Sequence, residues 1–180
     1  MRRIALFAIL LAAPAILLAQ EESRFSTDGA SVIWQNVYQT QLDSASVVDG
    51  LIASGHFDSI ILTKEGFTCR ILPHEVDYRG AGMKRGLTSM YLLDGEMEGR
   101  AIVQIREGRY RVTVGEMVFT GKISSPLSKP GERTKLELYA LNGSGRFRSN
   151  FWNKGSSPVL DYDLFSMFEV KEVVTQDEDW

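Results

Sequence analysis

The sequence predicts an α+β fold, a mainly antiparallel sheet with a few helices packed on one face. Three observations predict it. Short runs rich in β-branched and aromatic residues recur at 32–39, 59–63 and 67–72. Two longer alternating runs flank Glu107-Gly108 in the manner of a hairpin. Helical spacing is confined to two short stretches, around Val47 and around Leu164.

The chain begins with a different kind of segment. Arg2 and Arg3 form a positive start, residues 4–18 are an apolar run of 15, and the small Ala19 precedes the polar Gln20-Glu21-Glu22-Ser23. That layout predicts a signal peptide over residues 1–19, removed on export, although Leu17 is larger than the cleavage pattern prefers. The rival reading is an uncleaved anchor, but 15 residues fall short of the roughly 20 that span a bilayer as a helix. No cysteine stands just after the segment, which argues against lipid attachment, and no later stretch is apolar enough to span. The expected product is exported, periplasmic or secreted.

Cleavage after Ala19 leaves 161 of the 180 residues and takes the formal charge from −3 to −5. That length suits one domain. An acidic chain is a poor partner for nucleic acid, whose phosphates recruit positive charge. Cys69 is the only cysteine, so stability rests on the apolar core rather than on an internal disulfide. It alternates with Phe67 and Ile71 and reads as buried, with no neighbouring cation to activate it.

Residues 20–31 are polar and aperiodic and are expected to form a flexible lead-in to a single α+β domain at 32–171. Residues 32–39 (VIWQNVYQ) are the first strand. Asp43 or Ser44 caps a helix whose face is Val47, Val48, Leu51 and Ile52, with Gly55 as the stop and Gly50 as a weak point. Residues 59–63 and 67–72 form a hairpin through Lys64-Glu65-Gly66, with Gly66 expected in the left-handed position. Residues 74–79 are expected to continue the sheet beyond Pro73, and 80–86 form a glycine-rich connection.

The strongest hairpin covers residues 99–119. With Glu107-Gly108 as the loop, Arg106 pairs with Arg109, Ile105 with Tyr110, Val103 with Val112 and Ala101 with Val114. One face is then apolar and the other carries Arg100, Ile102, Gln104, Arg106, Arg109, Arg111 and Thr113. Residues 122–133 hold Pro126, Pro130 and Gly131 and form a loop, 135–141 are a strand or a short helix, and 142–145 a turn. Leu160, Leu164, Phe165 and Phe168 predict a C-terminal helix, and 172–180 an acidic tail.

These ordered elements resemble an exported bacterial domain of unknown function with a TATA-binding-protein-like fold. The resemblance is carried by the leader, VIWQNVYQ before a short helix, GHFDSIILTKEG, AIVQIREGRYRVTVGEMVF and VLDYDLFSMFEVK, and covers residues 32–171. It implies a curved antiparallel sheet with helices on one face. It implies no reaction and no catalytic residue, and the likeness to the DNA-binding protein is one of shape.

Candidate chemistry is sparse. His56, Asp58, His74, Glu75 and Asp77 lack the one-turn His spacing of zinc motifs and read as turn and edge residues. Asp161 and Asp163 can be imagined as an acid–base pair, but the plainer reading is charge at the start of a helix. Gly80 to Gly86 contains two cations but not the order of a phosphate-binding loop, and Gly143-Ser144-Gly145 is half a nucleophile elbow. No catalytic, cofactor or metal site is therefore assigned, and an enzyme is the least favoured class.

The remaining signal is the arginine face: Arg100, Arg106, Arg109 and Arg111 on one side of the hairpin. The plain reading is that Glu96, Glu98, Glu107 or Glu116 balances them. The functional reading is a surface for an envelope protein's acidic patch or an anionic polymer. The expected function is a non-catalytic binding or assembly module of the cell envelope. The alternative is a small-ligand carrier with Trp34, Tyr38, Phe67 and Tyr110 lining a cavity between sheet and helices.

Overall fold

The computed structural model describes residues 23–124, 129–153 and 155–171. The expected signal peptide, the first three residues of the expected lead-in and the acidic tail lie outside them. Among the described residues there are seven strands and five helices. In chain order they are β1 (Phe25–Asp28), β2 (Ser31–Gln39), α1 (Ser44–Ala53), β3 (Phe57–Thr63), β4 (Gly66–His74), α2 (Met90–Leu93), β5 (Gly95–Arg106), β6 (Arg109–Gly121), β7 (Arg133–Lys135), α3 (Leu136–Ala140), α4 (Ser149–Asn153) and α5 (Ser156–Phe168).

All strands join one antiparallel sheet in the order β1-β2-β6-β5-β4-β3, with β7 pairing β6 beyond the end of β2. The central hairpin has the expected register: Arg106 opposite Arg109, Ile105 opposite Tyr110, Val103 opposite Val112 and Ala101 opposite Val114. Its alternation puts Ala101, Val103, Tyr110, Val112 and Val114 on a face where each is almost fully buried.

Helix α5 lies over that face. Trp34 stacks on Phe168 at 6.4 Å, Phe57 on Phe168 at 4.8 Å and Tyr38 on Phe165 at 5.2 Å. The Tyr38 and Tyr110 hydroxyls donate to the Phe165 and Phe168 carbonyls at 2.9 and 2.7 Å, so the last turn of the helix is tied to the middle of the sheet. Val170, just beyond the helix, abuts Gly50 of α1, where an added Cβ would overlap it.

Several local expectations change. Residues 25–31 are not a loose lead-in. β1 pairs with β2, and Phe25 is buried opposite Trp34 and in edge contact with Phe151. One apolar residue in FSTD is too little periodicity to reveal a strand. Asp43 caps α1 through the Ser46 amide at 2.8 Å, but only Val47 and Leu51 are buried, and Ile52 is exposed. Thr63 pairs with Gly66, so the β3–β4 loop is the two residues Lys64 and Glu65. Gly66 has φ +145°, outside the left-handed helical well, and is glycine because a Cβ would overlap the Val103 carbonyl. β4 ends at His74, and residues 75–79 leave the sheet.

Three register shifts shape the sheet, one between Ile71 and His74 of β4 and two at residues with positive φ. Glu116, at φ +51°, sits where Glu98 pairs with Val118 and Arg100 with Gly115. Ser59, also at φ +51°, sits where Asp58 pairs with Arg70 and Ile61 with Thr68. Each extra residue reverses the alternation on its strand and twists it locally.

Candidate functional site

Among the described residues the helices leave the other face of the sheet open, and its side chains form cross-strand rows. At the hairpin end the row is Gln39, Arg109 and Arg106. Next come Val37, Arg111, Gln104 and, past Gly66, Thr63. The third row is Gln35, Thr113, Ile102, Thr68 and Ile61. The fourth runs from Gly115 through Arg100 and Arg70 to Asp58, with Ile33 in contact range above Gly115. A trough of about 610 Å³ follows the apolar middle over Ile33, Ile61 and Ile102. It merges through Ser31, Arg70, Arg100 and Glu116 with a second hollow of about 570 Å³ toward β7.

The four sequence-predicted arginines do share this face, but their electrostatics divide. The Glu116 bulge keeps that carboxylate on the open side, 3.3 Å from Arg100. Arg70 beside it is held by both oxygens of Asp58 at 2.8 and 2.5 Å. That bidentate contact holds the Asp58 carboxyl below its ordinary range. For Arg100 the plain reading holds, and Glu98 and Glu96 are taken by Arg133 and Lys122.

Arg106, Arg109 and Arg111 are different. They line a hollow of about 190 Å³ with Val37 and Gln104. None of the three forms an ion pair among the described residues. Arg111 donates to the Gln104 side-chain oxygen at 3.1 and 2.5 Å, while the Gln104 amide donates to Glu65 at 2.9 Å. A guanidinium only donates and a carboxylate only accepts, so these neighbours orient the amide. Arg111 is thereby held in place with its charge unneutralised. Half-exposed Ile102 (51 %) and Val37 (45 %) adjoin this cluster.

The other candidates are placed elsewhere. Asp161 and Asp163 are not at the start of a helix but within α5, facing the sheet. Asp161 accepts from the buried Trp34 indole N–H at 2.7 Å and from Arg24 at 2.6 Å. Asp163 accepts from the Asp77 amide and meets His74 Nε2, both at 2.8 Å. His74 Nδ1 faces the Leu72 carbonyl at 3.0 Å. Both ring nitrogens thus face acceptors, which suits a doubly protonated ring and leaves no lone pair for base catalysis. Burial lowers the His74 pKa, but Asp163 and the Leu72 carbonyl outweigh it, and the net shift is upward. His56 is exposed and does not join His74.

Cys69 is buried, and burial pushes its thiol up to about 12, so it is a core residue and not a nucleophile. The 80–86 loop spends amides on itself: Gly80 donates to Asp77, Gly82 to Arg79 and Met83 to Tyr78. Ser144 donates its hydroxyl to Asn142 at 2.8 Å within a turn. Trp34, Tyr38, Phe67 and Tyr110 are packed core side chains, and the two tyrosine rings stack at 4.8 Å.

No family model matches the chain, and no curated protein matches it. Two solved structures do. One is a DUF4468 family protein from Bacteroides ovatus, 14 % identical over 83 % of this chain and 93 % of that one, with a TM-score of 0.47. The other is a TBP-like protein from Parabacteroides distasonis, 13 % identical over 82 % and 95 %, with a TM-score of 0.50. At that identity the likeness to the second structure concerns the backbone, and it agrees with the sheet and helix layers described above. The chain has a TBP-like fold, a curved antiparallel sheet with helices on one face.

Proposed function

We propose that the protein is a non-catalytic binding module of the bacterial cell envelope, and that its open sheet face docks an acidic segment of a partner protein. The envelope part rests on the exported pattern of residues 1–19. The docking part rests on one observation: Arg106, Arg109 and Arg111 meet no carboxylate among the described residues and border the exposed Val37 and Ile102. Bidentate arginines recognise carboxylates, and the apolar strip beside them recognises side chains that a purely anionic polymer lacks.

The test is crosslinking in its own cells with tagged full-length protein, followed by mass spectrometry. Wild type is compared with Arg106→Glu/Arg109→Glu/Arg111→Glu, with Ile102→Glu, and with Arg146→Glu as an exposed control. The expected result is a reproducible partner with an acidic segment, lost at least tenfold in the triple variant and in Ile102→Glu, and kept in the control. Equal capture by all four proteins overturns the reading. Capture of an anionic polymer that survives Ile102→Glu overturns the protein-segment part.

A further inference from the structure

The open face is not level. Its trough of about 610 Å³ crosses β6 at Gly115, where the strand has no side chain. Ile33 and Arg100 flank that position on the neighbouring strands, and Thr113 with its cross-strand partner Ile102 bounds it toward the arginine cluster. Other glycines of the sheet are glycine because the fold leaves no room. A Cβ at Gly66 would overlap the Val103 carbonyl, and at Gly95 or Gly99 it would stand 3.0 or 3.2 Å from a carbonyl oxygen. Gly115 is different. Its φ is not positive, and a Cβ there would meet only Ile33, at 3.8 Å, an ordinary contact distance. The adjoining bulge does not require glycine either, since its positive φ falls on Glu116. Glycine inside a strand weakens it, and one that neither angle nor crowding requires points to the approach of another group.

We propose that this hollow receives an apolar side chain of the acidic segment, so that Gly115 sets specificity within the docking surface; the inference rests on that docking reading. The charges around the hollow are engaged with one another, Arg100 with Glu116 at 3.3 Å and Arg70 with Asp58. Asp28, which also lines it, forms no ion pair among the described residues and repels a carboxylate. An uncharged side chain suits the hollow, and the segment's carboxylates go to Arg111 and its neighbours.

Arg111 and Gly115 share one face of β6, four residues apart, which is about 13 Å at the rise of a strand. An extended segment lying along β6 covers the same distance with four residues. That fixes the spacing between its carboxylate and its apolar anchor.

The probe is an 11-residue peptide with three central aspartates and a leucine four residues from the nearest aspartate on each side, so that either chain direction is served. A second peptide has serine in place of both leucines. Binding of each to protein purified after expression of the full chain is read by fluorescence anisotropy, with protein up to 1 mM. The expected result is that wild type binds the leucine peptide at least fivefold tighter than the serine peptide, through burial of one leucine. Gly115→Val abolishes that preference and keeps serine-peptide binding. It unfolds at a urea concentration no lower than wild type, because valine suits a strand better than glycine. Equal affinity of wild type for the two peptides, or a preference that survives Gly115→Val, overturns this inference and leaves the docking reading standing. A lower urea midpoint for Gly115→Val overturns it too, since the glycine then serves the fold. Binding of both peptides that is unaffected by Arg106→Glu/Arg109→Glu/Arg111→Glu, or no binding of either to wild type, overturns the docking reading and this inference with it.

Discussion

On the helix-covered side of the sheet, Asp161 and Asp163 each have both oxygens engaged, by Trp34 and Arg24 and by His74 and the Asp77 amide. On the open side, Arg106 and Arg109 stand opposite one another with no carboxylate on either among the described residues. The first arrangement puts charge at buried (Asp163) and part-buried (Asp161) positions and satisfies each oxygen, so it serves the fold. The second leaves like charges adjacent in solvent, where repulsion is screened and costs little. A fold can carry that cost for a partner, and it gains nothing from it alone.

Three measurements test this contrast. The largest effect is expected at Asp163→Ala. It leaves His74 and the Asp77 amide without their acceptor in a nearly water-free site, and a loss of about 3 kcal/mol is expected. Urea denaturation reads it, and a loss below 1 kcal/mol would mean that the helix-side contacts are not structural.

The next effect depends on pH. The folded His74 pKa is raised, so its contribution is fully present below about pH 6.5, the unfolded value. It is lost as pH rises through the raised folded value. The stability gap between wild type and His74→Gln should therefore be widest near pH 5.5, on the order of 1 kcal/mol, and should narrow on going to pH 9. A constant gap removes the charged pair from the account of the core.

The smallest effect is expected at Arg109→Ser. It removes one member of the Arg106–Arg109 pair and should change stability by no more than about 0.5 kcal/mol, in the stabilising direction. The gain should vanish when salt is raised from 10 to 300 mM, because screening already quiets the repulsion. A loss of more than 1 kcal/mol would place Arg109 in the fold and take it off the docking surface.

The sheet's centre was legible because a hairpin writes itself locally. Alternating residues at 101–105 and 110–114 and a two-residue loop leave one register that buries a uniform face. The Glu116 bulge is legible in the sequence too. The buried apolar set moves from even positions, 110, 112 and 114, to odd ones, 117 and 119. That shift of parity is what one inserted residue does to a strand. It decides that Glu116 neutralises Arg100, which separates Arg100 from the other three arginines.

The roles of the two aspartates were not legible. Asp161 finds Trp34 127 positions away, and Asp163 finds His74 89 positions away. No local period encodes a partner at such a distance.

Spacing along one or two adjacent strands sets the α+β class, the central register and the placement of the hairpin's four arginines on one face, whereas Arg70 joins that face only through the pairing of β4 with β5. The tertiary structure alone decided which arginines are neutralised, which carboxylates belong to the core and which strand is left at an exposed edge. Those outcomes depend on the strand order β1-β2-β6-β5-β4-β3 and on where α5 crosses it, and packing between distant segments sets both.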